Sequence, residues 1–250
     1  MTTVLVIGAT GKVGRAVVNE ALQRGFTVRA QTRNAKRAQR SLPANAEVVE
    51  ALPTSADELR PLVAGVDAVV LTHGGDSDGE NNFYAVIPAL LEALDGSDTH
   101  ISLMTLMNAS RSAGAAASSY DFIEWKRRAE RLVRASGHPY TIVRPGWFDY
   151  QGPADHQIDL RQGDLVTGQP GVDRHHIAQV LLEGAVNPSG ARRTVEIFSK
   201  SGAPVTDFEA LFATTTADPD GALDGTLDTH NVPLAEEPER VQMDIARFTR

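Results

Sequence analysis

Three glycines at a regular spacing stand near the start of the chain, and a glycine-bearing backbone can approach a phosphate group closely. Gly8, Gly11 and Gly14 follow the apolar run 4–7, and the apolar spacing that comes next predicts a helix. A strand, a Gly-x-x-Gly-x-x-Gly turn and a helix are typical of a dinucleotide site. Gly8 permits a tight turn, Gly11 lets the pyrophosphate approach the helix N-terminus, and Gly14 lets helix and strand pack closely. The sequence therefore predicts that a dinucleotide is bound by Gly8, Thr10, Gly11, Lys12, Val13 and Gly14.

Basic side chains follow the second predicted strand. Arg33 stands at the position where a site for NAD usually has an acidic residue that bonds the ribose 2′-hydroxyl. A guanidinium group instead binds phosphate through its planar fork of donors. We therefore expect NADP rather than NAD, held by Arg33 with Arg15 or Lys36 assisting. The alternative for Lys36, Arg37 and Arg40 is a solvated helix face.

The composition limits the class of protein. The chain has 250 residues, a net charge of −8 and no cysteine. The negative charge disfavours a nucleic-acid binder, and the lack of cysteine excludes disulfides, thiolate metal sites and cysteine nucleophiles. No apolar run approaches the roughly twenty residues of a membrane span, and the first strand begins without a recognisable signal sequence. We expect a cytoplasmic protein that binds neither nucleic acid nor membrane; the sequence does not indicate its oligomeric state.

Strands and helices alternate along the chain. Apolar runs predict strands at 4–7, 27–30, 47–49, 68–71, 101–106, 141–143 and 195–198. Helical spacing predicts helices at 15–23, 56–62, 82–94, 121–135 and 176–185. This alternation predicts an α/β fold with a doubly wound, Rossmann-like parallel sheet and helices on both faces. We expect a single domain over 1–250, with a small loop-rich C-terminal substrate lobe formed by segments 147–172 and 199–250.

Charged and polar segments are expected at the surface. The Ser-, Ala- and Gly-rich residues 111–119 predict a flexible loop, and residues 118–121 resemble a capping box that starts the fourth helix. That helix carries acidic and basic side chains at helical spacing, which predicts a solvated face of Glu124, Arg127, Arg128, Glu130, Arg131 and Arg134. We expect an exposed acidic loop from Asp218, Asp220, Asp224 and Asp228 rather than a calcium site, because Gly221 comes too early for the ligand order of such a loop. Adjacent helical residues point apart, so His175 and His176 are not expected to bind a metal.

Several motifs together resemble a known family. They are the glycine turn at 8–14, Gly-Val-Asp-Ala-Val-Val at 65–70, Trp-Lys-Arg-Arg-Ala-Glu at 125–130, and Ser-Gly-His-Pro-Tyr-Thr-Ile-Val-Arg-Pro-Gly at 136–146. With these motifs the chain resembles an atypical short-chain dehydrogenase/reductase, close to the NmrA-like and NAD(P)-binding groups. The resemblance covers most of the chain and implies a Rossmann-like fold and a nicotinamide cofactor, with Pro145 among the cofactor-binding residues.

The catalytic motif of this superfamily is incomplete. Its reductases normally carry a serine and a Tyr-x-x-x-Lys, and Lys126 matches the lysine, which implies that it holds the cofactor ribose. The tyrosine position is Phe122, which has no proton to give. Thr105 can replace the serine hydroxyl, and the candidate acids are His73 and Tyr120. The alternatives are that Thr105 packs in its strand and that His73 is a hydrogen-bonded loop histidine.

The missing tyrosine bears on the substrate. An unactivated ketone needs a proton donor for its developing alkoxide, whereas a quinone, an enone or an extended aromatic ketone spreads the added charge. Trp147, Phe148 and Tyr150 leave the sixth strand at the carboxyl edge of the sheet, where substrates bind. These three aromatic side chains either wall a flat ligand or anchor the C-terminal lobe.

Two classes of function follow. The first is an NADP(H)-dependent oxidoreductase for a small aromatic or quinone-like metabolite, as a reductase or, where the reduced product reacts with oxygen, an oxygenase. The alternative is a non-catalytic, NADP-sensing regulator that resembles NmrA. Isomerase or lyase chemistry on the same fold is a third possibility.

Overall fold

A computed structural model describes residues 1–75, 78–111 and 121–250. The strands are β1 Thr3–Ile7, β2 Thr27–Thr32, β3 Glu47–Glu50, β4 Ala68–Leu71, β5 His100–Met104, β6 Tyr140–Pro145, β7 Trp147–Phe148, β8 Gln157–Arg161, β9 Gly171–Val172 and β10 Arg193–Lys200. The α-helices are α1 Lys12–Gln23, α2 Ala35–Ala38, α3 Ala56–Val63, α4 Val86–Leu94, α5 Asp121–Ala135, α6 Arg174–Val186, α7 Phe208–Ala213 and α8 Glu239–Phe248. Shorter helical turns cover Glu80–Tyr84, Pro188–Gly190 and Leu234–Glu236.

The main sheet has the order β3-β2-β1-β4-β5-β6-β10-β8, and a small second sheet pairs β7 with β9. All neighbours in the main sheet are parallel except β8, which runs antiparallel to β10. The predicted doubly wound, Rossmann-like parallel sheet is therefore confirmed. The chain reverses its direction of winding at β1, between β2 and β4, and ligands of such sheets bind in the crevice beyond that point.

The two faces of the sheet carry separate apolar cores. Side chains of α3, α4, α5 and α8 cover one face, and side chains of α1, α6 and α7 cover the other. The strands between them are buried on both sides; every residue of β4, for example, is buried. Such strands appear as continuous apolar runs in the sequence, which is why their positions are predictable.

Some element boundaries differ from the prediction. The helix predicted for 82–94 is a π-helical turn at Glu80–Tyr84 followed by α4 at Val86–Leu94. Residues 157–161, expected in the lobe, form β8 at the edge of the main sheet, where Ile158 is buried. The C-terminal segment also contains α8, whose Val241 and Ile245 lie four residues apart and pack into the core. The predicted flexible loop at 111–119 and the capping box at 118–121 lie, apart from Arg111 and Asp121, outside the described residues.

The prediction of a solvated face on α5 is wrong. Arg127 and Arg131 are each 2% exposed, and Glu130 is fully buried. Arg127 contacts Glu237 at 2.5 Å, and Arg131 also donates to Glu237, at 2.8 Å. The C-terminal segment therefore covers this helix face and supplies its counter-charges. Helical periodicity identifies a polar face, but it cannot distinguish water from a charged partner about a hundred residues away.

Three of the four aspartates expected in an exposed acidic loop, Asp218, Asp224 and Asp228, instead contact partners within the protein. Asp218 is 1% exposed and accepts hydrogen bonds from Thr194 at 2.6 Å and Tyr140 at 3.0 Å. Asp228 contacts Arg144 at 2.8 Å, whereas Asp220 is exposed and pairs with Arg192 at the surface. Within the described ranges, no group of three or more histidine, aspartate or glutamate side chains has the arrangement of a metal site.

Candidate functional site

The glycine turn after β1 has the backbone geometry that the spacing predicts. Gly8 has a φ of +84°, and its carbonyl oxygen accepts a hydrogen bond from the Gly11 amide at 3.0 Å. A Cβ atom on Gly14 would lie 2.2 Å from the Gly8 carbonyl oxygen, and a Cβ atom on Gly8 would lie 2.7 Å from the backbone nitrogen of His73. Larger residues would therefore push α1 away from β1, or β1 away from the chain leaving β4. Gly11 and Lys12 at the N-terminus of α1 are exposed, so a pyrophosphate can approach the helix there.

A cleft of about 510 Å³ opens at the carboxyl ends of β1, β2 and β4. Its lining comprises Gly8, Thr10, Gly11, Gln31, Thr32, Arg33, Leu52, Pro53, Thr54, Thr72, His73, Gly74, Gly75, Asn81, Asn82 and Val86. The cleft combines the glycine turn, one cation and the apolar residues after β3, which suits a dinucleotide with a charged pyrophosphate and a flat base. The described lining of the cleft does not include Lys12, Val13 or Gly14, which belong to the same glycine turn.

The predicted phosphate-binding cations differ in their surroundings. Arg33 is exposed at the cleft, and among the described residues no carboxylate lies within ion-pair distance of it. Arg15 donates from Nη1 to the Thr10 carbonyl oxygen at 2.9 Å, so it braces the glycine turn. Lys36 is exposed on α2 and is not among the residues that line the cleft. Arg33 is therefore the guanidinium best placed for an anionic group of a ligand.

Part of the cleft lining is not predicted from the sequence. Gln31 is buried, donates to the Ala51 carbonyl oxygen at 2.6 Å and accepts from the Gly8 amide at 3.3 Å. It thereby ties the ends of β1, β2 and β3 together. The residues Leu52, Pro53 and Thr54 after β3 were also not identified. Their position directly after a predicted strand, at the carboxyl edge of a parallel sheet, is the signal by which they could have been found.

His73 lines the cleft as a neutral imidazole. Its Nε2 lies 3.2 Å from the carbonyl oxygen of Phe83, and the two rings stack at 4.8 Å. Burial, reinforced by the positive charge of Lys126, lowers the pKa of His73 to about 4, although the Phe83 hydrogen bond opposes this shift. Because the carbonyl takes the Nε2 proton, Nδ1 is left as an acceptor, and no described residue bonds to it. At neutral pH this histidine therefore lacks the imidazolium proton that a general acid would use.

Lys126 lies in an aromatic environment on α5. Its Nζ is 5.6 Å from the ring centre of Phe122 and 5.4 Å from that of Phe83. Phe122 and Lys126 thus share one helix face, one turn apart, in the spacing of Tyr-x-x-x-Lys. Thr105 donates its hydroxyl to the buried Glu130 at 2.7 Å, so this hydroxyl has an internal partner. Tyr120 lies outside the described residues.

The predicted substrate wall separates into two groups. Trp147 and Tyr150 form a tilted pair with ring centres 5.8 Å apart, whereas Phe148 lies under the guanidinium of Arg174 at 5.0 Å. All three aromatic side chains are exposed, and none belongs to the described lining of the cleft. Pro145 is buried at the end of β6, where its carbonyl oxygen accepts from the Met107 amide at 3.0 Å. A role for these residues in cofactor or substrate binding stays a prediction.

Fold and cleft together define a dinucleotide-binding protein of the Rossmann type. A sequence model of the NAD(P)H-binding family matches residues 8–188, and the chain belongs to that family. The matched range contains the glycine turn, the strand β2, and the residues Arg33, His73 and Lys126. The expected resemblance to the NAD(P)-binding group is thereby confirmed.

Known proteins show how widely this fold is used. The chain is 30% identical over 240 residues to the chloroplast protein TIC 62 of Pisum sativum; the alignment covers 83% of this chain but 45% of TIC 62, about half of the relative. Among solved structures, the oxidoreductase ylbE of Lactococcus lactis superposes with a TM-score of 0.69 at 14% identity, covering 85% of this chain and 96% of that one. Anaerobillin reductase ChuY of Escherichia coli O157:H7 gives 0.65 at 21% identity, with 82% and 100% covered. A wide-type short-chain dehydrogenase/reductase of Veillonella parvula, solved with NADP, gives 0.63 at 16%, with 82% and 97% covered.

These structural likenesses establish the fold, and they do not fix the choice between NADP and NAD. The described residues include no helix long and apolar enough to cross a membrane. Because TIC 62 is named as a chloroplast protein, the cytoplasmic location expected from the sequence stays a prediction.

Proposed function

We propose that this protein is an NADP(H)-dependent oxidoreductase for a small aromatic or quinone-like metabolite, and that it works without the usual catalytic tyrosine. The observation that carries the proposal is the pairing of Phe122 with Lys126 at 5.6 Å. The chain has the lysine of the family motif in place, but a hydrocarbon ring stands where the proton donor would be. Such a site suits an acceptor that spreads its charge.

The preference for NADP rests on Arg33. This side chain is exposed at the rim of the cleft, directly after β2, where an acidic residue would repel a 2′-phosphate. A guanidinium bonds phosphate with two parallel donors, and such charge-assisted bonds are stronger than neutral ones. The NADP-bound relative from Veillonella parvula supports the same cofactor for this fold.

Each residue of the site then has a limited task. In its reduced form, the bound cofactor would supply a hydride. Lys126 holds the ribose, and its charge together with burial keeps His73 neutral. A quinone that accepts a hydride becomes a hydroquinone anion, whose charge is delocalised over the ring and which takes its one remaining proton from water. No side chain with a depressed or elevated pKa is needed to protonate an isolated alkoxide.

A second candidate is a non-catalytic NADP sensor. It is favoured by the same Phe122 and by Thr105, whose hydroxyl is taken up by Glu130 at 2.7 Å rather than directed at a substrate. Both candidates require tight cofactor binding, and they differ only in whether a hydride is transferred.

The cofactor is tested by titrating NADPH and NADH against the wild-type protein and Arg33→Ala. Losing one charge-assisted phosphate contact costs about 1.5–3 kcal/mol, which is about a 10- to 150-fold weaker NADPH affinity. NADH affinity should be unchanged. Arg40→Ala is the matched control, because Arg40 is an exposed arginine just beyond α2 that does not line the cleft. An unchanged NADPH preference in Arg33→Ala would remove Arg33 as the discriminating residue.

Turnover separates the enzyme from the sensor. NADPH oxidation is followed with a panel of quinones, enones and simple ketones at saturating NADPH without oxygen. The proposal expects steady turnover of quinones or enones and little with simple ketones. Tight NADPH binding without oxidation by any acceptor would favour the sensor. Repeating the active reactions in air, with oxygen consumption recorded, distinguishes a reductase from an oxygenase.

A further inference from the structure

A buried carboxylate outside the cleft holds the chain segment that leads from β5 toward Lys126. Asp164 lies on the turn after β8, and its side chain is fully buried. Its Oδ1 accepts the Asn108 amide at 2.7 Å, and its Oδ2 accepts the Ser110 amide at 2.8 Å and the Ser110 hydroxyl at 3.0 Å. Three donors thus come from one short turn. We call the set of Asp164 and residues 108–110 the clasp.

The clasp fixes the first part of the β5–α5 connection. Upstream of it, the Thr105 amide donates to the Val143 carbonyl oxygen at 2.9 Å and the Met107 amide donates to that of Pro145 at 3.0 Å. Residues 105–107 are therefore bound to β6 through the backbone, whereas Asn108 and Ser110 are bound by the Asp164 side chain. Asn108 has a φ of +66°, and Asp164 itself a φ of +53°. Asparagine and aspartate tolerate this left-handed conformation better than other non-glycine residues, although it still costs energy.

A second chain of contacts leads from Asp164 to the helix that carries Lys126. Arg144 donates from Nη1 to Asp164 at 3.3 Å, and it contacts Glu130 through Nε at 3.1 Å and Nη2 at 2.6 Å. Glu130 stands one helical turn after Lys126 on α5. The carboxylate of Asp164 is thereby connected to the turn after β5 and, through Arg144, to the middle of α5. Oε1 of Glu130 also accepts a hydrogen bond from the Thr105 hydroxyl.

Stability alone does not account for this arrangement. Burying a carboxylate costs several kcal/mol, and well-packed apolar residues often stabilise a protein as well as a buried ion pair does. What charged groups add is direction, because each hydrogen bond fixes an angle as well as a distance. In the clasp, the Asp164 carboxylate accepts three hydrogen bonds from a single turn of the chain.

We propose that Asp164 is a positioning residue: it holds the turn 108–110 and, through Arg144 and Glu130, the turn of α5 with Lys126, in the arrangement needed for hydride transfer. The expected effect on the rate of hydride transfer rests on the proposed function. Asp164 touches neither the cleft nor, among the described residues, Lys126. Its loss should therefore lower the rate of the chemical step, and it should weaken NADPH binding less than the removal of Lys126 itself does.

The test is Asp164→Asn, which keeps the size of the side chain but replaces one acceptor oxygen with an NH₂ group that faces donors. Asp159→Asn is the matched control, because Asp159 is a carboxylate on β8 that pairs with Lys200 and Arg161 at the surface. We expect kcat with the best acceptor to fall about 10- to 100-fold in Asp164→Asn, with a loss of NADPH affinity smaller than the loss of about tenfold expected of Lys126→Ala. The control should match wild type in both.

Hydrogen exchange gives a readout that does not depend on turnover. In Asp164→Asn, the amides of Asn108 and Ser110 and those around Lys126 should exchange faster, while the β1–α1 turn keeps its protection. Ser110→Ala removes one of the three contacts and should give a smaller effect of the same kind, which covers the case that Asp164→Asn does not fold. Unchanged exchange at 108–110, or a folded Asp164→Asn protein with wild-type kcat, would overturn the inference. Faster exchange in a protein whose wild type oxidises no NADPH would instead show that the proposed function fails while the clasp stands.

Discussion

Glu196 offers a direct test of the electrostatics of the buried charge network. It lies on β10, is 1% exposed, and accepts the Asp164 amide at 3.1 Å through Oε1, while no described residue bonds to Oε2. Burial, together with the negative charges of Asp164 and Asp228, raises the pKa of Glu196 to about 7, although the Asp164 amide and Arg144 oppose the shift. In the unfolded chain the same carboxyl has its ordinary pKa of 4.5.

The sign and size of the effect follow from proton linkage. Between the two pKa values the folded state binds more protons than the unfolded state, so this group makes the free energy of unfolding fall as pH rises. For pKa values of 4.5 and about 7, the loss between about pH 5 and pH 8.5 amounts to about 2.5 kcal/mol. Glu196→Gln cannot ionise and lacks this loss. The free energy of unfolding of the variant, measured relative to wild type, should therefore increase by about 2.5 kcal/mol over that interval.

The assay is urea unfolding of wild type and variant at both pH values, followed by tryptophan fluorescence. The comparison cancels the titration of every group that both proteins share. Glu209→Gln, at an exposed glutamate, is the control and should show the same difference from wild type at both pH values. A Glu196→Gln difference that is equally independent of pH would refute the assignment of a raised pKa to this group.

Further outcomes are expected at the cofactor site. Lys126→Ala should weaken NADPH binding about tenfold in the same titration, because a charged hydrogen bond to the ribose is lost. Phe122→Tyr should leave quinone turnover within about twofold of wild type and add slow turnover of simple ketones, because the phenol would lie one helical turn from Lys126; no gain with ketones would contradict this geometry. Gly14→Ala should abolish NADPH binding and lower the melting temperature, since its Cβ would lie 2.2 Å from the Gly8 carbonyl oxygen. Gly25→Ala, where a Cβ meets nothing within 4 Å, should cost only the strain of its φ of +76° and leave binding intact.

The parts of the fold that could be predicted are those governed by local pattern. Continuous apolar runs identify strands buried on both faces, and the spacing of three glycines fixes one turn whose geometry admits no other residue at Gly8 or Gly14. The carboxyl edge of the sheet then follows from the order of strands and helices. Arg33 could be identified because its position is counted from that turn. The lining residues Leu52 and Pro53 were missed although the same rule places them at the edge.

The parts that could not be predicted depend on partners distant in the sequence. Arg131 and Asp224 are 93 residues apart, and Arg127 and Glu237 are 110 residues apart. Taken alone, the segment with the arginines has the pattern of a solvated helix, and the segments with the acidic residues have the pattern of exposed loops. Because a buried charge is tolerated only where an opposite charge and hydrogen bonds meet it, the burial of α5 depends on where the C-terminal segment folds. No periodicity within either segment contains that information.

Arg144 has a position that local pattern predicts and contacts that depend on distant partners. It precedes Pro145 at the end of β6, so local pattern places it at the sheet edge where the site forms, yet its guanidinium points into the network. There it contacts Glu130 on α5, Asp164 on the turn after β8, and Asp228 in the C-terminal segment at 2.8 Å. Truncating either partner of such a buried pair leaves an uncompensated charge and costs about 3–5 kcal/mol. Three segments that are far apart in sequence, one of them the helix that carries Lys126, are thus held to one buried side chain.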